Sequence, residues 1–403
     1  MMRTEKHHSI LLKNAFFSKI LSAIILGVTP FFLFVCSTFA ENTAKPIRLG
    51  YFHGGRTVLM LRAYENGEFD KNGVAVEFYS KRLYENKYKL IPKSIQEFNR
   101  GGKGKAGAVT GTEFMEEVMN DQFDLAVVGE SSFIRAVYEG QPVVAIAELG
   151  HDVRGHSGHV FAMRKGLKAD KPSDFLGKVL ISRRAGFSDS VFLRELLEKE
   201  GINTEKQILQ LDALPSTLKE KQRLPKNKVI IVDNLFEDKM QEGMDLGIID
   251  GGYFHLMAFS KITGSFEIIH PMHYWADPEL SHALLVCRKE FLENNKERLT
   301  AFLEVYIKRI QYEHSLSYEE RTRKQPKGLQ MAINLDGLNY PQYDIVPVVN
   351  TDLLDKVVDL LKKYKYINNK KIEIGNFVDN SLVYAALKDL GISEKDDHWQ
   401  SEY

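Results

Sequence analysis

Cysteine is almost absent from this chain: 403 residues carry only Cys36 and Cys287. A disulfide framework is therefore excluded as the source of stability, and Cys287, alone after the apolar run Ala283 to Val286, reads as a packing residue. An excess of charge of one sign is also missing, since 54 basic residues balance 54 acidic ones. That argues against a nucleic-acid partner, which would ask for a strongly basic face. The motifs of nucleophilic and phosphate chemistry are lacking too: no G-x-S-x-G, no H-E-x-x-H and no G-x-x-x-x-G-K. Nor does any apolar stretch after residue 40 reach membrane-spanning length.

What is present at the start is a targeting pattern. Arg3, Lys6, Lys13 and Lys19 precede the apolar run Ile20 to Cys36, which Pro30 interrupts, and Thr38-Phe39-Ala40 offers small residues at the two positions a signal peptidase reads. The expected cut follows Ala40, giving a soluble protein outside the cytoplasm, in the periplasm. Lipidation at Cys36 is the lesser alternative, because Phe34 and Val35 are bulky for a lipidation box. The remaining chain is slightly acidic and, at 44% hydrophobic residues overall, has enough apolar material for two lobes.

The organising stretch is FDLAVVGESSFIRAVYEGQPVVAIA, Phe123 to Ala147. A compact apolar run, Leu125 to Val128, meets Gly129, Glu130, Ser131 and Ser132. A helical pattern, Phe133 to Tyr138, then stops at Gly140, and Pro142 opens a second apolar run, Val143 to Ala147. This predicts a βαβ unit with both strands buried. Its turn combines a glycine with two hydroxyls at a helix start, a place to hold a small polar or anionic molecule. The plainer alternative is that Ser131 or Ser132 simply caps the helix.

A second βαβ unit is predicted from the strand Pro46 to Phe52, the loop His53 to Thr57, a helix from Val58 to Tyr64 and a strand from Val74 to Tyr79. Residues 80–122 are polar and glycine-rich. Gly102 to Gly107 formally matches G-x-G-x-x-G, but follows no buried strand and reads as a mobile loop rather than a dinucleotide fingerprint. Further on, Pro172 to Leu176 predicts a helical turn. Strands are expected at Val179 to Ser182, Ile208 to Leu211, Val229 to Val232, Asp245 to Asp250 and His282 to Val286, with a helix from Ser190 to Lys199. Helical spacing covers Lys289 to His314 and Thr351 to Lys363.

Six segments carry a resemblance: IRLGYF; FDLAVVGESSFIRAVYEG; FLGKVLISRRAGFSDSVFLRELLEKEGI; DLGIIDGGYFHLMAF; SHALLVCRKEFLENNKERLTAFLEVYIKRI; and FVDNSLVYAALKDLG. In this order the chain resembles the solute-binding proteins of ABC importers, of the nitrate, sulfonate, taurine and thiamine-pyrimidine-precursor type. The resemblance implies an α/β fold of the two-lobed periplasmic-binding-protein type (class II), with a ligand cleft between lobes joined by two crossings. Lobe one would hold 46–151 and 281–403, and lobe two 152–280. It further implies a monomer without cofactor or catalysis that hands a small ligand to an inner-membrane ABC permease. The matching ligand positions are Phe52, His53, Gly129, Glu130, Ser131 and Ser132 in lobe one, and Gly186, Ser188, Asp189, Asp250 and Tyr253 in lobe two. Glu130-Ser131-Ser132 departs from the family's small acidic–proline turn, and Lys219 to Gln241 lengthens a connection the family keeps shorter.

The residues leave the ligand chemistry open. His151, His156 and His159 crowd one connector, and His53, His255, His270, His273 and His282 lie near predicted loops and strand ends. Such imidazoles, His156 among them, could contact an anionic or heteroaromatic ligand or hold a transition metal. Asp250 could meet an ammonium or ring N–H, or could be a strand-end cap. Tyr253, Phe52 and Phe187 could stack on a planar ligand, and Arg56, Arg183 or Arg184 could fork onto a sulfonate. Two alternatives stand beside transport. One is an enzyme like the family's thiamine-pyrimidine synthases, against which the export signal and the missing cysteine-rich motif count. The other is a sensory subunit.

Overall fold

The computed structural model describes residues 45–51, 57–81, 87–100, 110–151, 159–167, 171–182, 188–202, 218–233, 245–255, 266–271, 282–317 and 346–393, with isolated positions at 85, 208–209, 243 and 320. The expected leader, the Gly102 to Gly107 loop, and candidate residues Phe52, His53, His156 and Gly186 lie outside the described residues. Among the described residues, no helix is long and apolar enough to cross a membrane.

Among the described residues, two six-stranded sheets form the body. The first has the order β3-β2-β1-β4-β12-β5, with β1 at Ile47–Gly50, β2 at Val76–Ser80, β3 at Lys89–Leu90, β4 at Leu125–Gly129, β5 at Val143–His151 and β12 at His282–Arg288. The second has the order β11-β6-β10-β7-β9-β8, built from β6 (His159–Arg164), β7 (Val179–Ser182), β8 (Ile208–Leu209), β9 (Ile230–Asp233), β10 (Gly251–His255) and β11 (Phe266–Pro271). The helices are α1 (Val58–Glu65), α2 (Glu68–Lys71), α3 (Ile95–Arg100), α4 (Gly111–Met119), α5 (Glu130–Tyr138), α6 (Ser188–Lys199), α7 (Leu218–Lys221), α8 (Lys289–Asn294), α9 (Lys296–His314), α10 (Thr351–Lys363) and α11 (Ser381–Leu390).

Central strands of the first sheet are apolar throughout because both faces are covered. Leu125 and Val127 of β4 join one hydrophobic cluster with Leu285 and Cys287 of β12. Their alternates Ala126, Val128, Leu284 and Val286 join the other. Cys287 is the buried free thiol the sequence suggested, and burial pushes its pKa to about 12, so it is held as an inert thiol. The predicted βαβ unit is present as β4, α5 and β5, with one unforeseen feature. β12 returns from more than a hundred residues away and inserts between β4 and β5, antiparallel to both.

Helix α10 joins the two halves of the core. Its buried stripe Leu354, Val357, Val358 and Leu361 follows i, i+3, i+4, i+7 spacing, and the Asn350 side chain caps it by accepting from the N–H groups of Asp352 and Leu353. That stripe shares a cluster with Phe133 and Val137 of α5 and with Val191, Phe192 and Leu196 of α6. Just beyond it, Lys363 meets Glu195 at 2.6 Å, Tyr364 donates to Glu195 and Glu198 at 2.9 and 3.0 Å, and the Arg194 guanidinium lies 4.1 Å from the Tyr364 ring centre. Burial and these two carboxylates raise the Tyr364 phenol far above its ordinary value.

On the other flank, α1, α2 and α9 meet through buried charge. Arg62 Nη1 reaches Glu313 Oε1 at 2.6 Å, Arg309 Nη1 reaches the same oxygen at 3.4 Å, and Arg309 Nη2 pairs with Glu68 at 2.6 Å. The side chains of Arg62, Arg309 and Glu313 are at most 5% exposed.

Three expectations are corrected. Residues 95–119, expected as part of a polar loop, include the helices α3 and α4. Asp245 to Asp250 is not a strand, and β10 begins one residue later, at Gly251. The Lys289 to His314 helix is two, broken at Asn295. Helix α4 exists because Thr110 and Glu113 close a capping box: Thr110 Oγ1 accepts from the Glu113 N–H at 3.2 Å, and Glu113 Oε2 accepts from the Thr110 N–H at 2.7 Å. Lys81 meets the other Glu113 oxygen at 2.8 Å. Burial pushes the Glu113 carboxyl up, but the Lys81 and Thr110 bonds outweigh it and leave the pKa below its ordinary 4.5. A carboxylate depressed in the fold adds stability above its unfolded pKa and loses it as pH falls through the folded one. Glu113→Gln is therefore expected to cost about 0.5–1 kcal/mol at neutral pH. The difference should vanish well below pH 4.5, as read from urea midpoints at both pH values; a difference independent of pH would reject the ion-pair account.

Candidate functional site

The strands β1, β2 and β4 run parallel, so their carboxyl ends share one edge of the first sheet. β5 points the same way, being antiparallel to β12, which is itself antiparallel to β4. Helix starts follow three of these strand ends: Val58 of α1 lies in the segment between β1 and β2, Gly111 opens α4 ahead of β4, and Glu130 follows β4 directly. This edge is where open α/β sheets gather ligand contacts.

Polar residues are concentrated there and buried. Ser80 ends β2, Glu130, Ser131 and Ser132 open α5, Glu148 lies near the end of β5, and Thr57 precedes α1; each is at most 4% exposed. A polar group out of water costs free energy unless it is bonded. Thr57 Oγ1 donates to the Tyr51 hydroxyl at 3.1 Å, which in turn donates to the Thr57 carbonyl at 2.9 Å. Ser131 Oγ donates to Glu130 Oε1 at 3.1 Å, and Glu148 Oε1 lies 2.7 Å from His151 Nδ1. Two hydroxyls stand apart: the Oγ atoms of Ser80 and Ser132 are buried with no hydrogen-bond partner.

The alternative in which Ser131 or Ser132 caps the helix is not what the structure shows. Gly129 occupies the N-cap position with extended backbone and no side-chain cap, and both serines lie inside the first turn. Gly129 itself offers no side chain to cap the first turn of α5. Ser132 packs on Gly111 so tightly that a Cβ there would come within 2.6 Å of its Oγ, which explains a glycine at the start of α4.

The second sheet treats its candidates differently. Ser188 and Asp189 do open α6, after β7. Asp250, expected at a strand's carboxyl end, instead precedes β10, and its own N–H donates to Val179 O at the amino end of β7. It is therefore at the edge opposite the β7–α6 turn. Its carboxylate is engaged by the protein: Oδ2 accepts from the Val179 N–H at 3.0 Å, Oδ1 meets Lys221 Nζ at 2.6 Å, and Arg164 lies 3.6 Å away. Burial lowers the Lys221 pKa, against the Asp250 carboxylate that raises it. The lengthened segment thus begins with a structural role, α7 supplying the cation that holds Asp250. Tyr253 sits in mid-strand on β10, opposite Phe161 of β6 in the backbone register.

Sequence reasoning missed Ser80, Thr57 and Glu148 as members of the polar edge. Ser80 had a signal: it is the single hydroxyl closing an alternating strand. Among the described residues no group of three or more His, Cys, Asp or Glu side chains is arranged to hold a metal ion.

Comparisons with known proteins agree with this architecture. No curated protein matches the sequence. Among solved structures, the periplasmic sulfonate-binding protein SsuA from Methylobacillus flagellatus superposes with a TM-score of 0.60 at 17% identity, over 89% of this chain and 99% of that one. The nitrate-binding protein NrtA from Synechocystis gives 0.56 at 11% identity, over 88% and 91%. The aliphatic sulphonate-binding protein SsuA from Escherichia coli gives 0.53 at 12%, over 84% and 99%. At these identities the likeness establishes the fold, which is that of the periplasmic binding proteins. A family model described as NMT1/THI5 like matches residues 109–315, roughly half of the 403-residue chain and the part that holds β4, the polar turn of α5 and all of the second sheet. By that match the chain belongs to the NMT1/THI5-like family.

Proposed function

We propose that the chain is an extracytoplasmic solute-binding protein that captures a small polar molecule at the carboxyl edge of its first sheet and delivers it to an ABC permease. The observation that carries this reading is the buried polar edge itself. A protein that merely needed to fold would fill Ser80 and Ser132 with apolar side chains, because a buried hydroxyl without a partner costs free energy. A guest that bonds these hydroxyls turns that cost into affinity. Three of the solved neighbours are periplasmic sulfonate- or nitrate-binding proteins, which supports both the compartment and the importer partner.

The second half of the contact surface, in this reading, is the turn between β7 and α6, with Gly186, Ser188 and Asp189. Phe52, His53 and His156 belong to segments that join the same strand ends, and Gly129 and Glu130 form the turn itself. Asp250 is assigned to stability rather than ligand contact, and Tyr253 is left out of the proposed contacts as well. The lobes would be 46–151 with 281–403, and 152–280, closing on the guest. Ligand binding to two lobes favours the closed state, with no turnover.

Native mass spectrometry of protein purified without refolding identifies the retained guest, and calorimetry with that compound tests the site. Ser80→Ala and Ser132→Ala should each weaken binding by about 1–2 kcal/mol while leaving the melting temperature unchanged or slightly raised. Unchanged affinity in both variants would overturn the placement. Consumption of the guest during incubation would overturn the transport reading in favour of an enzyme.

A further inference from the structure

The parallel strands β7, β8, β9 and β10 bring their amino ends to one edge of the second sheet, and β6, antiparallel to β10, brings its carboxyl end to the same edge. Cations stand where the chain enters and leaves it. Arg164 ends β6 and Lys165 follows, Lys178 precedes β7, and Lys228 lies two residues ahead of β9. The backbone ties these positions together: the Gly177 N–H donates to the Lys228 carbonyl at 2.7 Å, and the Ile230 N–H to the Lys178 carbonyl at 3.0 Å. The segment 218–228, LKEKQRLPKNK, crosses this edge with five basic residues and one acidic, Glu220. Lys221 donates to the Gly247 carbonyl at 2.7 Å. A Cβ on Gly247 would meet Leu218 at 3.3 Å and Arg164 at 3.7 Å, and one on Gly177 would meet Lys226 at 3.2 Å.

Two properties of this edge serve no need of the fold. The first is like charge at close quarters. Burial first, then the charges of Arg164 and Lys178, lower the Lys221 pKa against the Asp250 carboxylate that raises it. Lys165, Lys219, Arg223 and Lys226 are exposed around that group, and among the described residues Asp174, Glu220 and Asp245 are the acids beside them. The second is apolar. Leu176, Leu218 and Leu246 are 41%, 54% and 52% exposed, and they make up half of the six large apolar side chains that are exposed among the described residues. One such leucine is ordinary on a solvated surface; three along one edge, set between cations, mark a contact surface.

We propose that this edge is a peripheral contact for an anionic phospholipid bilayer. The lysines and arginines would meet lipid phosphates, and the leucines would enter the boundary between headgroups and acyl chains. A protein partner would ask for the leucines to be gathered as one apolar centre with a polar rim. Separate leucines with cations between them fit a deformable interface instead. The edge lies opposite the β7–α6 turn, so the contact leaves that turn uncovered. Bound in this way, the protein would search for its partner along the membrane plane. The proposal does not rest on the small-molecule reading, because vesicles alone are the probe.

The test is co-sedimentation of the exported chain with vesicles of phosphatidylcholine alone, or of phosphatidylcholine and phosphatidylglycerol in equal parts, at low and high salt. Every comparison uses the same exported chain, so whatever its amino terminus contributes is common to all. Binding should be at least tenfold tighter to the anionic vesicles and should weaken as salt rises. Each cation at the surface contributes about fivefold, so Lys219→Gln with Arg223→Gln should weaken binding at least tenfold. Leu176→Ser with Leu246→Ser should weaken the binding that persists at high salt. Lys370→Gln with Lys371→Gln removes equal charge from exposed positions elsewhere and should bind like the wild type. Melting temperatures of all three pairs should stay near the wild-type value. The proposal is overturned if neutral and anionic vesicles are bound equally, or if none is bound, which would leave the edge to an acidic protein. It is equally overturned if the Lys370, Lys371 pair weakens binding as much as the Lys219, Arg223 pair, since net charge and not this edge would then be responsible.

Discussion

Glu313→Ala is expected to lower the unfolding free energy by about 3–5 kcal/mol, because it removes the carboxylate that Arg62 and Arg309 share in an interior that excludes water, although Arg309 keeps its pair with Glu68. The melting temperature should fall by roughly 10 °C for a change of that size. Arg62 and Glu313 stand on helices separated by 251 positions of sequence, and their 2.6 Å contact is a point where α1 is tied to α9. One Glu313 oxygen, Oε2, and both arginine Nε atoms lack partners, so the network is not fully satisfied. Such a network adds less stability than its short contacts suggest, since desolvation offsets most of the attraction. The combined variant Arg62→Met, Arg309→Met, Glu313→Leu should therefore recover most of what Glu313→Ala loses. Thermal and denaturant unfolding of the single and triple variants make the comparison. A triple variant no better than Glu313→Ala would mean that the charges themselves, and not the cost of an orphaned one, hold the helices.

Asp250→Ala comes next in size, at about 2–3 kcal/mol, since it takes the Val179 N–H acceptor away and leaves the half-buried Lys221 ammonium only the Gly247 carbonyl, at 2.7 Å. Affinity for the guest retained on purification should stay within twofold of the wild type. Sequence alone left Asp250 open between a ligand contact and a strand-end cap. The two readings separate on paired measurements of melting and binding. A variant that melts normally but binds weakly would restore Asp250 to the site.

The strand was expected at Asp245 to Asp250 and lies at Gly251–His255 because of how apolar runs are read. DLGIID has the composition of a strand, yet Gly247 takes φ +69° and the N–H groups of Ile248 and Ile249 both turn back to Gly243 O. The strand is instead GGYFH, whose first glycines look like a turn but pair on both sides, with β6 and with β7. Glycine and apolar side chains thus exchanged their usual meanings within six residues, and only the tertiary partners reveal it. Helix α4 was hidden for a related cause. Phe114, Met115 and Val118 carry its buried face, but the polar, glycine-rich stretch before them drew attention away from the T-x-x-E cap at Thr110. By contrast β4, β7 and α10 were legible, because an apolar run flanked by turn residues, or a clean helical stripe, leaves few competing readings. The candidate turn Gly129 to Ser132 was legible for the same reason. Ser80 and Glu148 were not, since a buried hydroxyl or carboxylate looks in sequence like any solvated one.

The insertion of β12 between β4 and β5 also dictates the order in which the molecule can assemble. Every strand of the second sheet comes from one uninterrupted segment, β6 through β11, and its neighbours can pair as soon as that segment exists. The first sheet cannot. Until His282 to Arg288 arrive, β4 and β5 each present an open edge and two apolar faces with nothing between them. Closing so long a loop carries an entropic cost that slows the step more than it weakens the product. Sheet closure by β12 is then the late event of folding, and the interval before it is when a half-made first sheet is exposed to edge-to-edge association with another copy.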